Sequence, residues 1–551
     1  MLNISGMESS TIFPLAVSVI FCIWAAWKLY SYSMPGTQKR VLFVAYLGFI
    51  VSFFCVVLIP FDIDSTLANR YRDFLYYAWR SMYWSLQVLS WVVYPFNMEK
   101  ERTGSWQKSL QRNAIWWVIY LVVALIAVVY FFGVTDYGLK GMLAVAYAAS
   151  NTWGLTLIIL LAGYGLVAAP QWFYLQSKPK DYLNYMYIKA VSAEDARLAA
   201  KFDLMDVYTD ARKTMDANDP DLVSVASFLE SSYGYAGSDR KSTSSGESTH
   251  EADKAVALRD ALLTAKRSIG SWKMLVHECM QYEDFYGESG DTRSVGRAAK
   301  MHKITRMTIK IFSILGGVMS ALVILGQSTI FIDVWWLSIL AVIFRAGVWN
   351  NPGILETPEG SFISQALLTV PLLWVYYCCY WSLTRIKLAK FYGLYRDHQT
   401  DTISLMWCGG MLIRIAFPLV YNYLFVLRIP DHPATVFEEM QGWMDIVPLL
   451  GDSFVKYFPL FILVVALLTL SNTYSKIMGC LGLGSLQFES TRDTMSRSKL
   501  IEEGKALILR ERQGPRGSAR PSVTDTGLGA KMSSSKKYEP LSEEPEEKFG
   551  N

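Results

Sequence analysis

The sequence predicts an all-α membrane protein with nine transmembrane helices and a cytoplasmic helical hairpin. Three observations carry this prediction. Long uncharged apolar runs recur along the 551 residues, charged residues make up only 18% of the chain, and a heptad pattern occupies its largest polar segment. Soluble domains carry about 25% charged residues. An apolar run of about 20 residues can cross the hydrocarbon core as a helix.

Nine apolar runs are long enough to cross the membrane once each. They lie at about Thr11–Tyr30, Val41–Pro60, Phe74–Phe96, Ile115–Phe132, Gly141–Leu166, Ile309–Phe331, Phe362–Thr384, Ser404–Leu427 and Tyr457–Tyr474. A tenth run, Val334–Phe344, is too short to cross. Its pattern leaves three possibilities open, which are a re-entrant segment, an interfacial segment and a continuation of the sixth span.

Basic residues between the runs set the predicted orientation. Lys28, Lys39 and Arg40 lie at or after the end of the first run, so we expect no cleavable signal peptide and an N-terminus outside the cell. The loops at 100–112 and 385–396 are rich in Lys and Arg, whereas the loop after the eighth run is acidic. Because cytoplasmic loops are enriched in Lys and Arg, the C-terminus is predicted to be cytoplasmic.

The predicted spans divide five plus four around one large polar segment. The parts are an N-terminal five-helix membrane part (1–170), a cytoplasmic helical segment (171–307), a C-terminal four-helix membrane part (308–479) and a cytoplasmic tail (480–551). A flexible linker rich in Ser, Gly and charge lies at 236–252. The tail contains an amphipathic helix at about Ser496–Gln513, and its remainder has the composition of a disordered segment.

An apolar heptad seam runs through the second half of the cytoplasmic segment. Its members alternate steps of four and three: Leu258, Leu262, Ala265, Ile269, Trp272, Val276 and Cys279. The first half presents Leu198, Phe202 and Met205 on one helical face. An antiparallel hairpin of the two helices is the simplest explanation, and a coiled coil with a second copy or another partner is the alternative.

Two arginines lie within predicted spans. Arg414 stands in CGGMLIRIAFPL, where a guanidinium needs a carboxylate, backbone carbonyls or water. Two interpretations stay open, an anion or headgroup site in a bundle cavity and a buried structural ion pair, of which we favour the second. Arg80 lies nearer the outer end of the third span, where its side chain can extend to the interface.

The stretch NTWGLTLIILLAGYGLVAAP begins with Asn151 and Thr152 and lies in the fifth span. Four of seven positions on one helical stripe through it are small: the stripe is Ala144, Ala148, Asn151, Leu155, Ile158, Ala162 and Gly165. Small residues let helix backbones approach closely, and a buried amide can bond across helices. The stripe therefore favours a helix–helix seam over the polar lining of a transport path.

The motif DHQTD precedes the eighth span on the predicted cytoplasmic side. Thr400 or Asp401 is expected to cap that helix, because either side chain can accept a bond from a free backbone amide. His398 and Gln399 have no capping role, so we expect them to contact the cytoplasmic hairpin.

The stretch PFDID ends the second predicted span at the outer face. Its carboxylates, Asp62 and Asp64, could bind a cation. An exposed helix stop at Pro60 is the favoured interpretation, because proline disrupts the hydrogen bonding of a helix interior.

Two residues are candidates for covalent modification. Asn3 begins the glycosylation sequon NIS on the predicted outer side, and Cys480 follows the last span closely enough for palmitoylation. For both residues the unmodified state is favoured, since Asn3 lies so close to the terminus and an ordinary thiol explains Cys480.

No catalytic constellation is visible in the sequence. The chain contains no phosphate-binding glycine loop or nucleophile elbow, and its five histidines are scattered. We therefore expect no enzyme activity, metal or cofactor. A net charge of +4 gives no reason to expect nucleic acid. The expected partners are membrane lipids and a membrane receptor or cytoplasmic signalling protein that contacts residues 171–307.

Several stretches carry a family resemblance. They are NTWGLTLIILLAGYGLVAAPQWFY, YRDHQTDTISLMWCGGMLIRIAFPLVYNYL, LIPFDID, MYWSLQVLSWVVYPF, DSFVKYFPLFILV and IEEGKALI. Through them the chain resembles the limb-region (LMBR-type) membrane proteins, and within that family one subgroup of LMBR domain-containing proteins. The resemblance covers all nine predicted spans, whereas the linker and the tail do not match.

The resemblance implies a nine-span protein with an extracellular N-terminus and a cytoplasmic coiled-coil segment. Relatives include a lipocalin receptor and a lysosomal protein of cobalamin export, and the subgroup is linked to G-protein-coupled-receptor signalling at the plasma membrane. A receptor-like or adaptor function at the plasma membrane is therefore expected, with an endomembrane location as the alternative. A transporter or channel for a small molecule or lipid is the alternative function, favoured by Arg414 and Asn151. Fold analogy by itself identifies no ligand.

Overall fold

The computed structural model describes residues 11–133, 138–213, 215, 219–234, 248–286, 297–330, 332, 334–349, 358–385, 393–396, 398–427, 434–441, 454, 457–471, 473 and 498–513. Helices dominate these residues, and the β-pairing among them is one isolated bridge between Ser33 and Thr400. The predicted all-α class is thereby confirmed. Asn3 and Cys480 lie outside the described residues, as do most of the predicted linker and the tail beyond 513.

The described helices follow one another along the chain. The first six are α1 (Ile12–Tyr32), α2 (Lys39–Leu67), α3 (Arg72–Val88), α4 (Tyr94–Thr103), α5 (Trp106–Gly133) and α6 (Gly138–Gln176). A π-helical turn (Leu89–Val93) connects α3 directly to α4. The polar segment contains α7 (Pro179–Ala211), α8 (Pro220–Tyr233) and α9 (Ser248–Tyr286). The remainder contains α10 (Arg297–Ser328), α11 (Ile339–Phe344), α12 (Pro358–Leu383), α13 (Thr402–Leu427), α14 (Val436–Gln441), α15 (Leu460–Leu470) and α16 (Ser498–Gln513).

Seven of the described helices contain a stretch long and apolar enough to cross a membrane. The stretches are Ile12–Tyr32, Lys39–Leu67, Trp106–Ile126, Ser150–Gln176, His302–Ser328, Glu359–Leu383 and Thr402–Leu427. A multi-pass membrane protein is therefore confirmed, while the count of nine stays a prediction. The third predicted span, in α3 and α4, is more polar than these seven, and the described part of the ninth, α15, has 11 residues.

The small-residue stripe of α6 lies at the centre of the membrane bundle, where α6 contacts α10, α12, α13 and α15. Its described members from Ala148 onward are buried. A Cβ at Gly165 would overlap the carbonyl oxygen of Cys378 in α12, and the nearby Ser382 hydroxyl donates to the carbonyl of Leu161 at 2.7 Å. Such close approach requires small residues. The predicted helix–helix seam is confirmed for these residues.

Helices α7 and α9 form an antiparallel hairpin, as predicted. Three contacts show the direction, because they join successively earlier residues of α9 to later residues of α7. Tyr187 donates to Glu283 at 2.6 Å, the Arg197 guanidinium lies 5.6 Å from the Trp272 ring centroid, and Lys254 pairs with Asp210 at 3.1 Å. Helix α7 follows α6 of the membrane bundle, and α9 precedes α10. We call the end of the bundle to which α7 and α9 are attached the hairpin end.

The face of α7 that packs in the hairpin differs from the predicted face. Leu198 and Phe202 are 40% and 60% exposed, whereas Ala200, Leu204 and Tyr208 are buried. A step of two positions along a helix changes the direction of the side chain by about 200°, because a helix has 3.6 residues per turn. For Leu198 and Phe202 the prediction therefore selected the opposite side of α7, which carries apolar residues on both sides. Met205, the third predicted residue, is half-buried and packs against the apolar cluster between α7, α8 and α9. The heptad seam of α9 is buried as expected, apart from the half-buried Ile269.

Helix α16 packs against α7 and extends the hairpin into a larger unit. Gly504 lies so close to α7 that a Cβ would overlap the backbone oxygen of Tyr187. Ile508 is fully buried, and Arg512 pairs with Glu283 at 3.0 Å and Asp284 at 2.8 Å. We call α7, α8, α9 and α16 the hairpin module.

At the opposite end of the bundle, the prediction of an exposed helix stop at the PFDID stretch is wrong. Helix α2 continues through Pro60 to Leu67, and Asp62 and Asp64 are both buried. Asp62 accepts from the indole of Trp79 at 2.8 Å and from the backbone of Phe437 at 2.9 Å. A proline inside a membrane helix is tolerated when packed neighbours compensate for the lost hydrogen bond.

Asp64 is held by a separate set of donors on α12. It accepts from the hydroxyl of Ser361 at 2.5 Å and from the side-chain amide of Gln365 at 3.0 Å. The carboxylates therefore join α2 to α3, α12 and α14. No group of three or more His, Cys, Asp or Glu residues that could hold a metal is found in the described part of the chain.

We expect Gly504→Ala to detach α16 from α7. Alanine improves helix propensity by up to about 1 kcal/mol, but its methyl group must overlap the Tyr187 carbonyl, and such overpacking costs about 1–3 kcal/mol. The amides of α16 should therefore exchange faster with deuterium in the full-length protein. The control is Gly317→Ala, because a Cβ at that helical glycine meets open space. Unchanged or slower exchange in α16 of Gly504→Ala would contradict the packing.

We expect Asp62→Ala to lower the free energy of unfolding by at least about 2 kcal/mol, because it leaves the buried Trp79 and Phe437 donors unpaired and each costs about 1–3 kcal/mol. Chemical unfolding of the purified protein in detergent micelles measures the change. Asp206→Ala is the control, since this aspartate of α7 is exposed. Equal effects of the two substitutions would show that the buried network contributes little.

Candidate functional site

The segment before α13 is bound to the end of α1. Thr400 donates its backbone N–H to Tyr32 at 2.9 Å, and Met34 donates to the carbonyl of Thr400 at 3.0 Å. His398 donates its backbone N–H to Ser31, and its Nδ1 lies 2.9 Å from the carbonyl oxygen of Ser33. His398 was expected to contact the hairpin, and its partners are instead at the end of α1. Its φ of 59° is left-handed, which permits this sharp turn.

Gln399 makes the contact with the hairpin that was predicted for it. Its Oε1 accepts from the Ser271 hydroxyl of α9 at 3.1 Å. A Cβ at the adjacent Gly270 would lie 2.9 Å from the Gln399 side chain, so the Gln399 amide packs directly against the backbone of α9 at this glycine. One residue of DHQTD therefore binds α1 and the next binds the hairpin module.

Asp401 caps α13 and also binds α9. Its Oδ2 accepts from the backbone N–H of Ser404 at 3.2 Å, and its carbonyl accepts from Leu405. The predicted cap is therefore Asp401, because the hydroxyl of Thr400 bonds to Tyr395 instead. The second Asp401 oxygen forms an ion pair with Arg267, and the two side chains are only 12% and 9% exposed.

Sequence reasoning missed Arg267 as a functional candidate. It lies beside the heptad seam of α9, where a basic residue ordinarily marks a solvated flank, and it is separated from Asp401 by 134 residues. Its guanidinium also lies 5.3 Å from the ring centroid of Tyr395. No local pattern could have predicted either contact.

A further carboxyl group links this junction to the end of α4. Burial raises the pKa of Asp260 in α9, Arg102 and Arg267 oppose the shift, and the Asp401 carboxylate adds to it. These side chains are therefore close enough to influence one another electrostatically. The hairpin module, the end of α4 and the start of α13 share one cluster of charges.

A cavity of about 540 Å³ lies near this cluster, between α4, α5 and α13. Its lining residues are Ser90, Tyr94, Pro95, Met98, Glu99, Arg102, Arg112, Asn113, Ile115, Trp116, Met406, Trp407, Gly410, Met411 and Arg414. Ser90 belongs to the π-helical turn, a kind of distortion that often occurs at functional sites. The volume lies within the range of small-molecule sites.

Arg414 extends from α13 to this cavity. Its Nε donates to the hydroxyl of Ser90 at 3.3 Å, and no described carboxylate lies within ion-pair distance of it. The structural ion pair that we favoured from sequence therefore has no acidic partner in this part of the chain. Arg414 is therefore a cationic group that faces a cavity, and the anion or headgroup site stays a prediction.

The other predicted polar residues do not line the cavity. Asn151 is buried in the seam of α6, and the hydroxyl of Thr152 donates to the carbonyl of Ala148 in the same helix at 2.8 Å. Arg80 is exposed on α3, where it donates to Tyr76 at 3.2 Å, and its extension to the membrane interface stays a prediction. Arg414 is the member of this predicted set that the structure places at the cavity.

Three charged lining residues were not predicted as site residues. Glu99 lies between Arg112, at 2.7 Å, and Arg102, at 3.9 Å. The sequence shows both arginines as loop cations that set the orientation, and nothing in their spacing indicates that α4 and α5 fold against α13. The cavity consequently combines three arginines with one glutamate.

Comparison with known proteins gives a consistent set of relatives. The LMBR1 domain-containing protein 2 homolog A of Dictyostelium discoideum is 26% identical over 80% of this chain and 63% of its own length, so the chain spans under two thirds of that relative. The LMBR1 domain-containing protein 2 homolog of Drosophila melanogaster is 26% identical over 79% of this chain and 68% of its own length. The G-protein coupled receptor-associated protein LMBRD2 of Homo sapiens is 23% identical over 91% and 83%.

No solved structure shows a significant match to the chain. A family model described as LMBR1-like membrane protein matches residues 10–474, from just before α1 to the residues that follow α15. The match includes the hairpin, the motif before α13 and every residue that lines the cavity. The chain therefore belongs to the family of LMBR1-like membrane proteins.

Proposed function

We propose that the chain is a non-catalytic membrane adaptor that associates with a G-protein-coupled receptor through its hairpin module. Relatives from chicken, frog and human bear the name G-protein coupled receptor-associated protein, which motivates the receptor class. The distribution of Lys and Arg predicts that the module lies in the cytoplasm. It would then stand beside the cytoplasmic loops of a receptor in the plasma membrane.

The observation that carries this proposal is the fixed attachment of the module to the bundle. The pair Arg267–Asp401 and the Gln399–Ser271 bond join α9 to the segment that begins α13. Buried charge-assisted contacts hold a defined geometry more firmly than exposed ones. An adaptor needs such a geometry, because its binding surface must stay at a constant distance from the membrane.

The module also presents apolar residues that its own packing does not use. Leu198 and Phe202 lie on the exposed side of α7. Aromatic residues are enriched where proteins bind one another, and a few such anchors supply most of the binding energy. We propose this side of α7 as the receptor-contacting surface.

Transport of a small molecule or lipid is the second candidate function. The cavity beside Arg414 is the observation that favours it, since a charged residue at membrane depth often marks a pathway. The adaptor ranks first because it accounts for the attached module as well as for the names of the relatives.

We expect Phe202→Ser to weaken receptor association by at least about fivefold without unfolding the protein, because loss of an aromatic anchor typically costs 1 kcal/mol or more. Co-purification of the full-length chain with a co-expressed panel of G-protein-coupled receptors measures the change. The control is Asp206→Ser, which alters an exposed polar residue of the same helix.

A reduction for Phe202→Ser together with unchanged capture by Asp206→Ser supports the proposed surface. Equal capture by the wild type and both variants would show that this side of α7 makes no receptor contact. Failure of the wild type to capture any receptor of the panel would count against the adaptor function itself.

A further inference from the structure

We propose that the cavity between α4, α5 and α13 binds the anionic phosphate headgroup of a phospholipid from the membrane leaflet at the hairpin end. This inference is independent of the adaptor function, since it rests on the cavity alone. Arg102, Arg112 and Arg414 line the cavity, and Glu99 is the acidic member of the lining. The lining therefore carries an excess of positive charge for an anion to neutralise.

Arg414 gives the strongest reason to expect an anion. It lies within the membrane-crossing stretch Thr402–Leu427 of α13, and because helix side chains lean toward the helix N-terminus, its guanidinium is displaced from its own Cα toward the hairpin end. A guanidinium within a hydrocarbon core about 30 Å thick needs a charged or polar partner. The bond to the Ser90 hydroxyl satisfies one of its five N–H donors and does not neutralise its charge.

The remaining charges are arranged so that Arg414 has the greatest need of a ligand. Glu99 accepts from Arg112 at 2.7 Å and lies 3.9 Å from Arg102, so its carboxylate is shared by the two outer arginines. A phosphate group matches guanidinium geometry because its oxygens accept two parallel N–H bonds. One phosphate in the cavity would neutralise the charge of Arg414, which Glu99 does not reach within ion-pair distance.

The walls of the cavity favour a lipid over a soluble anion. Met98, Met406 and Met411 give it apolar surface that an inorganic ion cannot use. Ile115 and Trp116 line the cavity and are also 64% and 59% exposed on α5, a helix whose membrane-crossing stretch is mostly unburied. The cavity is therefore reachable from the surrounding lipid, and an acyl chain can remain in the bilayer while the headgroup enters.

Native mass spectrometry of the full-length chain in detergent tests the proposal. The probes are dioleoyl phosphatidic acid, dioleoyl phosphatidylcholine and inorganic phosphate. We expect phosphatidic acid to bind most tightly, and Arg414→Gln to weaken that binding by at least about tenfold, as hydrogen bonds between charged groups require. Arg80→Gln is the matched control, because it removes an exposed arginine at the opposite end of the bundle.

Two more variants separate ligand binding from folding. Arg414→Lys keeps the charge and should bind phosphatidic acid more tightly than Arg414→Gln. Glu99→Gln removes the competing carboxylate and should bind it more tightly than the wild type, whereas a purely structural role of Glu99 would weaken binding.

Three results would overturn the proposal. The first is inorganic phosphate that binds or competes as strongly as the lipid, which would assign the cavity to a soluble anion. The second is equal loss from Arg414→Gln and Arg80→Gln, which would indicate nonspecific charge attraction. The third is weaker binding by Glu99→Gln than by the wild type.

Discussion

The ion pair between Arg267 and Asp401 joins the two halves of this molecule. Asp401 caps α13, the membrane helix that also carries Arg414, while Arg267 belongs to α9 of the hairpin module. Removing one partner from a buried pair leaves an uncompensated charge and typically costs 3–5 kcal/mol. The position of the module, and any surface it presents to a partner, therefore depends on this contact.

Features that depend on local spacing could be predicted from the sequence, and features that depend on distant contacts could not. The seam of α9 and the small stripe of α6 follow from helical periodicity, because their neighbours require only an apolar or a small surface. The prediction of which side of α7 packs in the hairpin was wrong for Leu198 and Phe202, because both sides of this helix carry apolar residues. The helix stop predicted at the PFDID stretch was wrong. The buried Asp62 carboxylate accepts hydrogen bonds from Trp79 of α3 and from Phe437, and local spacing does not show these partners.

The candidate site shows the same division. Arg414 could be identified because charge is rare at membrane depth. Its surroundings could not, because the cavity is formed by the π-helical turn, α4, α5 and α13, whose lining residues are more than 300 positions apart in the sequence. The module and the cavity are neighbours, since Asp260 of α9 lies within electrostatic reach of Arg102, which lines the cavity, and of Arg267.

A double-mutant cycle on Arg267→Gln and Asp401→Asn tests the attachment most directly. Asparagine caps a helix as well as aspartate, so only the ion pair is removed. Hydrogen exchange of the α9 amides gives the free energy of local opening for each variant. We expect a coupling energy of about 1–3 kcal/mol, so that the double variant opens little more readily than either single variant. Additive effects, with a coupling energy near zero, would contradict it.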